Sequence, residues 1–169
     1  HQICLDVGSG AGFPGLPIKI MLPDTRMTLL EATAKKVTFL QHVVGVLGLD
    51  DVRIIHGRAE EVAHDPEERG KYDVVLARAV ASLPTLAEYC LPFCRIGGRF
   101  IAQKAEDVAD EVAVAAEAVA ILGGELREVK RVLVPGIAEP RSLVVYLKVR
   151  PTPHDYPRRP GLPTRRPLG

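Results

Sequence analysis

The sequence has little net charge: 22 Lys and Arg stand against 21 Asp and Glu. Global electrostatics therefore announce no polyanionic partner, and one has to be sought in local charge. Cysteine is scarce, with only Cys4, Cys90 and Cys94. An odd count of scattered thiols points to a reducing compartment. A zinc site needs more Cys or His ligands close by, so no metal is expected and the thiols read as small buried side chains. Cys90 and Cys94 stand at helical spacing. No apolar run approaches the length that spans a bilayer, and no signal peptide is recognisable. These absences point to a cytoplasmic chain with no membrane partner. No internal repeat is visible.

What is present is a chain of 169 residues, enough for one domain with a real core. It opens at His1 directly into an apolar strand, and so reads as a chain whose own N-terminal part is missing. Apolar periodicity then alternates between strand and helix. Strands are expected at "QICLDV", "RMTLLE", "VRIIHG", "YDVVLARAV" and "GGRFIAQK". Between them fall helical patterns at "GLPIKIML", "TAKKVTFLQHVVGVLGL", "AEEVA" and "LPTLAEYCLPFC". In the second of these, Val37, Leu40, Val44 and Leu47 form one stripe. A helix at "EDVADEVAVAAEAVAILGG" stops at Gly123-Gly124. The last strands, "LREVKRVLV" and "RSLVVYLKV", are joined by the short loop "PGIAEP" and are expected to be antiparallel. The whole predicts an α/β fold over residues 1–149, with a mostly parallel sheet ending in an antiparallel hairpin. Residues 150–169 are rich in Pro and Arg, lack apolar periodicity and are expected to form an extended tail outside the core.

An open α/β sheet binds ligands beyond the C-terminal ends of its strands, where the strand order reverses. The first strand runs into "DVGSGAGFPG", Asp6 to Gly15. Read from Asp6 it is Asp-x-Gly-x-Gly-x-Gly, typical of S-adenosylmethionine (SAM) enzymes. Read from Gly10 it is Gly-x-Gly-x-x-Gly, typical of dinucleotide enzymes. Gly8, Ser9, Gly10 and Gly12 allow a tight turn and close backbone approach by a ligand, and the next helix offers free N–H groups. The second strand ends at Glu31, whose carboxylate can accept both ribose hydroxyls of an adenosine. After the third strand, Ala59 and Glu60 suit an adenine edge, the N–H and carboxylate facing its acceptor and its amine. This favours SAM over NAD, which needs a second half-site that the chain is short of. Arg78 follows a buried apolar run, where an unpaired charge is costly. It serves either a ligand or a structural ion pair. Lys104 ends the fifth strand in a similar place. His42, His56, His64 and His154 read as surface or structural residues.

Several stretches together are far more specific than a glycine turn. "DVGSGAGFPGLPIKI", "LLEATAKKVTFL", "HGRAEEV", "ARAVASL" and "YPRRPGLPTRRPL" resemble the RsmG (GidB) family. That family comprises bacterial SAM-dependent methyltransferases acting on N7 of a guanine in the 530 loop of 16S ribosomal RNA. The resemblance implies a Rossmann-like class I methyltransferase fold, SAM as cofactor, a monomer, and 16S RNA or the small ribosomal particle as partner. It implies cofactor contacts at Gly8, Phe13, Glu31, Ala32, Thr33, Ala59, Glu60 and Arg78, and a helical segment ahead of the sheet. Lys104 is followed here by Ala105, where the family often has glycine. Guanine N7 carries a lone pair and no proton, so catalysis would rest on alignment, with no general base and with Arg78 positioning the reactants. The rival readings are a SAM enzyme for a small molecule, an RNA-binding module without turnover, and a dehydrogenase.

The tail carries Arg150, Arg158, Arg159, Arg165 and Arg166 against one acid, Asp155. Guanidinium groups suit phosphate oxygens, so Arg158, Arg159, Arg165 and Arg166 are expected to hold RNA together with Lys104. Lys35 and Lys36 would extend that surface. Alternatively, the tail straps across the sheet or is simply solvated and inert.

Overall fold

Strand β1 (Ile3–Val7) is buried from Cys4 onward, with side chains on both of its faces covered. A strand covered on both faces belongs inside a parallel sheet, and β1 lies there. It pairs in parallel with β2 (Arg26–Glu31) on one side and β4 (Tyr72–Ala77) on the other. The full order is β3-β2-β1-β4-β5-β7-β6. Here β3 is Val52–His56, β5 Cys94–Lys104, β6 Gly124–Val132 and β7 Arg141–Lys148. The first five strands are parallel, and β7 is antiparallel to both of its neighbours. The expected α/β sheet with its closing hairpin is therefore present. The chain builds outward from β1 to β3, then crosses back to lay β4 beside β1. That reversal opens a crevice between the ends of β1 and β4. The computed structural model describes residues 1–78, 81–105 and 107–169.

Alternation along the strands sends successive side chains into two cores. Cys4, Leu29 and Leu76 meet Leu16 of α1 (Gly15–Met21) and Leu40 of α2 (Ala34–Leu47) on one face. Leu5, Leu30, Val75 and Phe100 meet α4 (Leu83–Cys90) and α5 (Ala109–Ile121) on the other. A short helix α3 (Ala59–Val62) follows β3. Leu40 is fully buried, so removing its side chain is expected to cost about 2–5 kcal/mol. Among the described residues no helix is long and apolar enough to cross a membrane.

The structure revises several expectations. On α2, Val37 and Leu40 are buried and Val44 packs against the core, but Leu47 is half exposed because the helix has run past the sheet. Cys90 ends α4, whereas Cys94 opens β5. Between them Leu91–Phe93 form a tighter turn around Pro92, since proline's ring clashes with the preceding helical turn. All three thiols are buried. Strand β4 ends at Ala77; Ala79 and Val80, expected to continue it, lie outside the described residues, as does Glu106 ahead of α5. Gly123 does stop α5. Its φ is +86°, and a Cβ there would sit 2.2 Å from the Arg150 carbonyl oxygen.

The largest revision concerns residues 150–169, which are laid against the domain. Arg69 explains why: its guanidinium donates to the carbonyls of Thr152, Pro153 and Tyr156 in the tail, and to that of Ala63. Thr152 is buried and donates to Leu122 O. Prolines 157 and 163 are buried, and Leu162–Arg165 form a short helix, α6, on α4. Prolines fix φ and so lower the entropy lost when such a segment docks. Periodicity could not reveal this, because backbone carbonyls, prolines and one ion pair hold the segment rather than an apolar stripe.

Candidate functional site

The turn after β1 wraps its own backbone. Gly8 and Ser9 N–H donate to Leu30 O at 2.8 and 3.1 Å, and Gly12 N–H donates to Ser9 O at 2.8 Å. Gly8, Gly10 and Gly12 have φ of +72°, +57° and +99°, which favours glycine. At Gly12 space is lacking too: a Cβ would lie 2.3 Å from Leu16 Cδ1. At Gly8 the opposite holds: among the described residues, chain neighbours aside, nothing stands within 4 Å of its Cβ position. Gly8 also lines a pocket of about 280 Å³ with Ala32, Ala59, Glu60 and Tyr89.

Glu31 is buried at the end of β2 and ties the turn to the pocket. Its Oε2 accepts from Gly10 N–H at 2.8 Å, and its Oε1 from Thr33 N–H at 3.1 Å. Each carboxylate oxygen keeps acceptor capacity. Glu60 is also buried, and its Oε1 accepts from the Gly161 N–H of the tail at 3.1 Å. Ala32 and Thr33 are exposed at the mouth, and His56 Nε2 lies 3.0 Å from Ala32 O.

Asp6 lies beneath the turn and is fully buried. Its Oδ2 accepts from Gly15 N–H at 3.0 Å, while Oδ1 finds no partner among the described residues. Burial raises its pKa to about 6; the Gly15 and Ser9 hydrogen bonds and the Arg78 charge counter that rise. Asp6 thus clamps the start of α1 to β1 at an electrostatic cost.

On the other side of the turn, Arg78 was expected at depth. It is exposed instead, with its guanidinium carbon 5.7 Å from the centre of the half-exposed Phe13 ring. The reason is that the strand ends one residue earlier, at Ala77. Among the described residues no ion pair accounts for Arg78. It borders a larger cleft of about 700 Å³, shared with Lys104, Val134, Arg141 and Leu143. Lys104 is less free than expected: its ammonium pairs with Glu111 at 2.9 Å and donates to Ala81 O.

The basic residues of the tail separate into two groups. Arg158 grips the fully buried Glu88 through both its guanidinium and its backbone N–H. Its expected place on phosphate is therefore taken by a structural partner. Arg159, Arg165 and Arg166 remain exposed, as do Lys35 and Lys36. Arg150 donates to Ala120 O at the end of α5. His64 Nε2 lies 2.7 Å from Pro157 O.

Three participants escaped the sequence reading. Tyr89 gave no signal, being one aromatic on a buried helix. Gly161 lies far along the chain from Glu60. Arg141 was findable: the first residue of a strand antiparallel to β5 must lie at the edge where β5 ends.

Comparison with known proteins bears on this site. The family described as "rRNA small subunit methyltransferase G" (GidB) matches residues 1–139. The protein named "Ribosomal RNA small subunit methyltransferase G" of Roseiflexus sp. is 56% identical over 164 residues, 97% of this chain and 70% of that one. Its namesake in Clostridium novyi is 44% identical, covering 97% of this chain and 68% of that one. Among solved structures, the 16S rRNA (adenine(1408)-N(1))-methyltransferase of Catenulisporales acidiphilia superposes with a TM-score of 0.74 at 14% identity, over 89% and 87% of the two chains. The geranyl diphosphate C-methyltransferase of Streptomyces coelicolor, solved with S-adenosyl-L-homocysteine, gives 0.67 at 14% identity, over 88% and 73%. These likenesses establish the class I methyltransferase fold, and the closer sequences establish kinship: the chain belongs to the rRNA small subunit methyltransferase G family.

Proposed function

We propose that the chain binds SAM and transfers its methyl group to N7 of a guanine in the 530 loop of 16S ribosomal RNA. The observation that carries this reading is a pair of spaces built from residues at the C-terminal ends of the strands. One is the pocket lined by Gly8, Glu60 and Ala32, the last next in sequence to Glu31; the other is the cleft to which Arg78, Lys104 and Arg141 bring positive charge. The residues present fit the cofactor. The open side of Gly8 leaves room beside the backbone, Glu31 has lone pairs for ribose hydroxyls, and Glu60 has a second oxygen for an exocyclic amine.

When bound, SAM supplies an electrophilic methyl on a positively charged sulfur. The protein's part is placement. Guanine N7 brings its own lone pair and no proton to remove, so no side chain has to act as a base. Arg78 borders the basic cleft with its guanidinium against the Phe13 ring, where it can orient the purine and its phosphate. Arg159, Arg165 and Arg166 supply exposed charge for the RNA backbone, which positions without reading sequence.

Titration calorimetry with SAM and with NAD tests the cofactor assignment. Saturable SAM binding without NAD binding is expected, and the reverse pattern sinks the proposal.

A further inference from the structure

The tail is more than a neighbour of the pocket proposed for the cofactor. Gly161 N–H donates to Glu60 Oε1 at 3.1 Å, and the Thr164 and Tyr89 hydroxyls bond at 2.8 Å. Glu60 and Tyr89 both line the pocket that Gly8 floors. Two of its wall residues are therefore held by a segment 101 residues away in sequence from Glu60 and 75 from Tyr89.

The tail's own position is set by a buried latch. Glu88 is fully buried on α4, and Arg158 meets it with two guanidinium nitrogens at 2.8 and 2.9 Å and with its backbone N–H at 2.7 Å. The same guanidinium donates to Arg166 O at 2.7 Å, closing residues 158–166 into a loop around α6. Thr85 Oγ1 donates to Pro163 O at 3.0 Å and pins that loop to α4. Gly161 takes φ +81° at the head of α6, the conformation in which its N–H reaches Glu60.

We propose that residues 157–166 form an outer support of the nucleoside pocket, and that Arg158 is a positioning residue that acts on cofactor binding through Gly161 and Glu60. This rests on the pocket being the SAM site. A carboxylate held at one oxygen presents its other oxygen in a fixed direction. Release of the latch leaves Glu60 free to turn, and binding must then order it afresh.

The test is calorimetric titration of SAM into the native chain and into Arg158→Ala, Thr164→Val, Glu60→Gln and the Arg158→Ala/Glu60→Gln double variant. Circular dichroism verifies folding first. Arg158→Ala is expected to weaken SAM binding about tenfold, and Thr164→Val about twofold to threefold. In the Glu60→Gln background, loss of Arg158 should cost less than about twofold more, because the path runs through Glu60. A purely structural role of Arg158 gives an equal loss in both backgrounds and overturns the proposal, as does native affinity in a folded Arg158→Ala chain. If Arg158→Ala does not fold, Glu88→Leu/Arg158→Leu removes both charges together and carries the same expectations. A native chain that binds no SAM refutes the proposed function first, and this inference with it. Native binding with indifferent variants refutes this inference alone.

Discussion

Asp6→Asn separates the structural cost of the glycine turn from its function. Asp6 is fully buried, with one oxygen on Gly15 N–H and the other without a partner among the described residues. Its carboxyl is raised from an ordinary 3.8 to about 6, chiefly by burial. That gap corresponds to about 3 kcal/mol between the two protonation states. The folded chain therefore holds this proton over a pH range where the unfolded chain has released it. The resulting stabilisation is fully present below pH 3.8 and is lost as pH rises through about 6. Asparagine can still accept from Gly15 but cannot titrate. Urea unfolding followed by circular dichroism at pH 7, 6, 5 and 4, for both proteins, reads the difference directly. Native stability relative to Asp6→Asn is expected to improve by about 2–3 kcal/mol between pH 7 and pH 4. Other groups titrate alike in both chains and cancel. Parallel pH profiles for the two proteins would refute the buried, underpartnered carboxylate.

Three further expectations follow from named contacts. Arg78→Ala should lower turnover by roughly a hundredfold, the order of losing one positioned electrostatic group; its melting temperature should stay within about 2 °C, since the side chain is exposed, and an unstable but fully active variant contradicts this. Replacing Arg159, Arg165 and Arg166 by Ser should reduce the slope of log affinity for RNA against log salt by about 2, provided all three meet phosphate, and an unchanged slope places the RNA surface elsewhere. Lys148 is buried on Leu91 O and Thr152, and burial pushes its pKa from 10.5 down to about 8. Between those values the unfolded chain binds a proton that the folded chain does not, so native stability should rise with pH there; Lys148→Met should lack that rise in urea titrations at pH 8 to 10.5.

Much of this arrangement was legible in sequence because it depends on local rules. Short apolar runs rich in Val, Leu and Ile gave the strands, and the β-α alternation gave a mostly parallel sheet with ligand sites at its strand ends. Glycines at Gly8, Gly10 and Gly12 gave the turn, and Glu31 the carboxylate beside it. The features that escaped are long-range. Arg158 reads as one more basic tail residue until Glu88, buried on a distant helix, is seen beneath it. Lys104 reads as a free cation until Glu111 comes round on α5. Arg78 looked buried because its apolar run was taken as continuous, whereas the strand ends at Ala77 and releases it.

The central claim is methyl transfer to a guanine N7 of small-subunit RNA. Incubation of the chain with unmodified 16S RNA or small-subunit particles and labelled SAM, followed by mass mapping of the RNA, tests it most directly. The account predicts a single methylated guanine in the 530 loop, with the methyl on N7 and the signal abolished or strongly reduced by Arg78→Ala. Methylation confined to another base or loop, or none by a folded chain that binds both SAM and RNA, contradicts it.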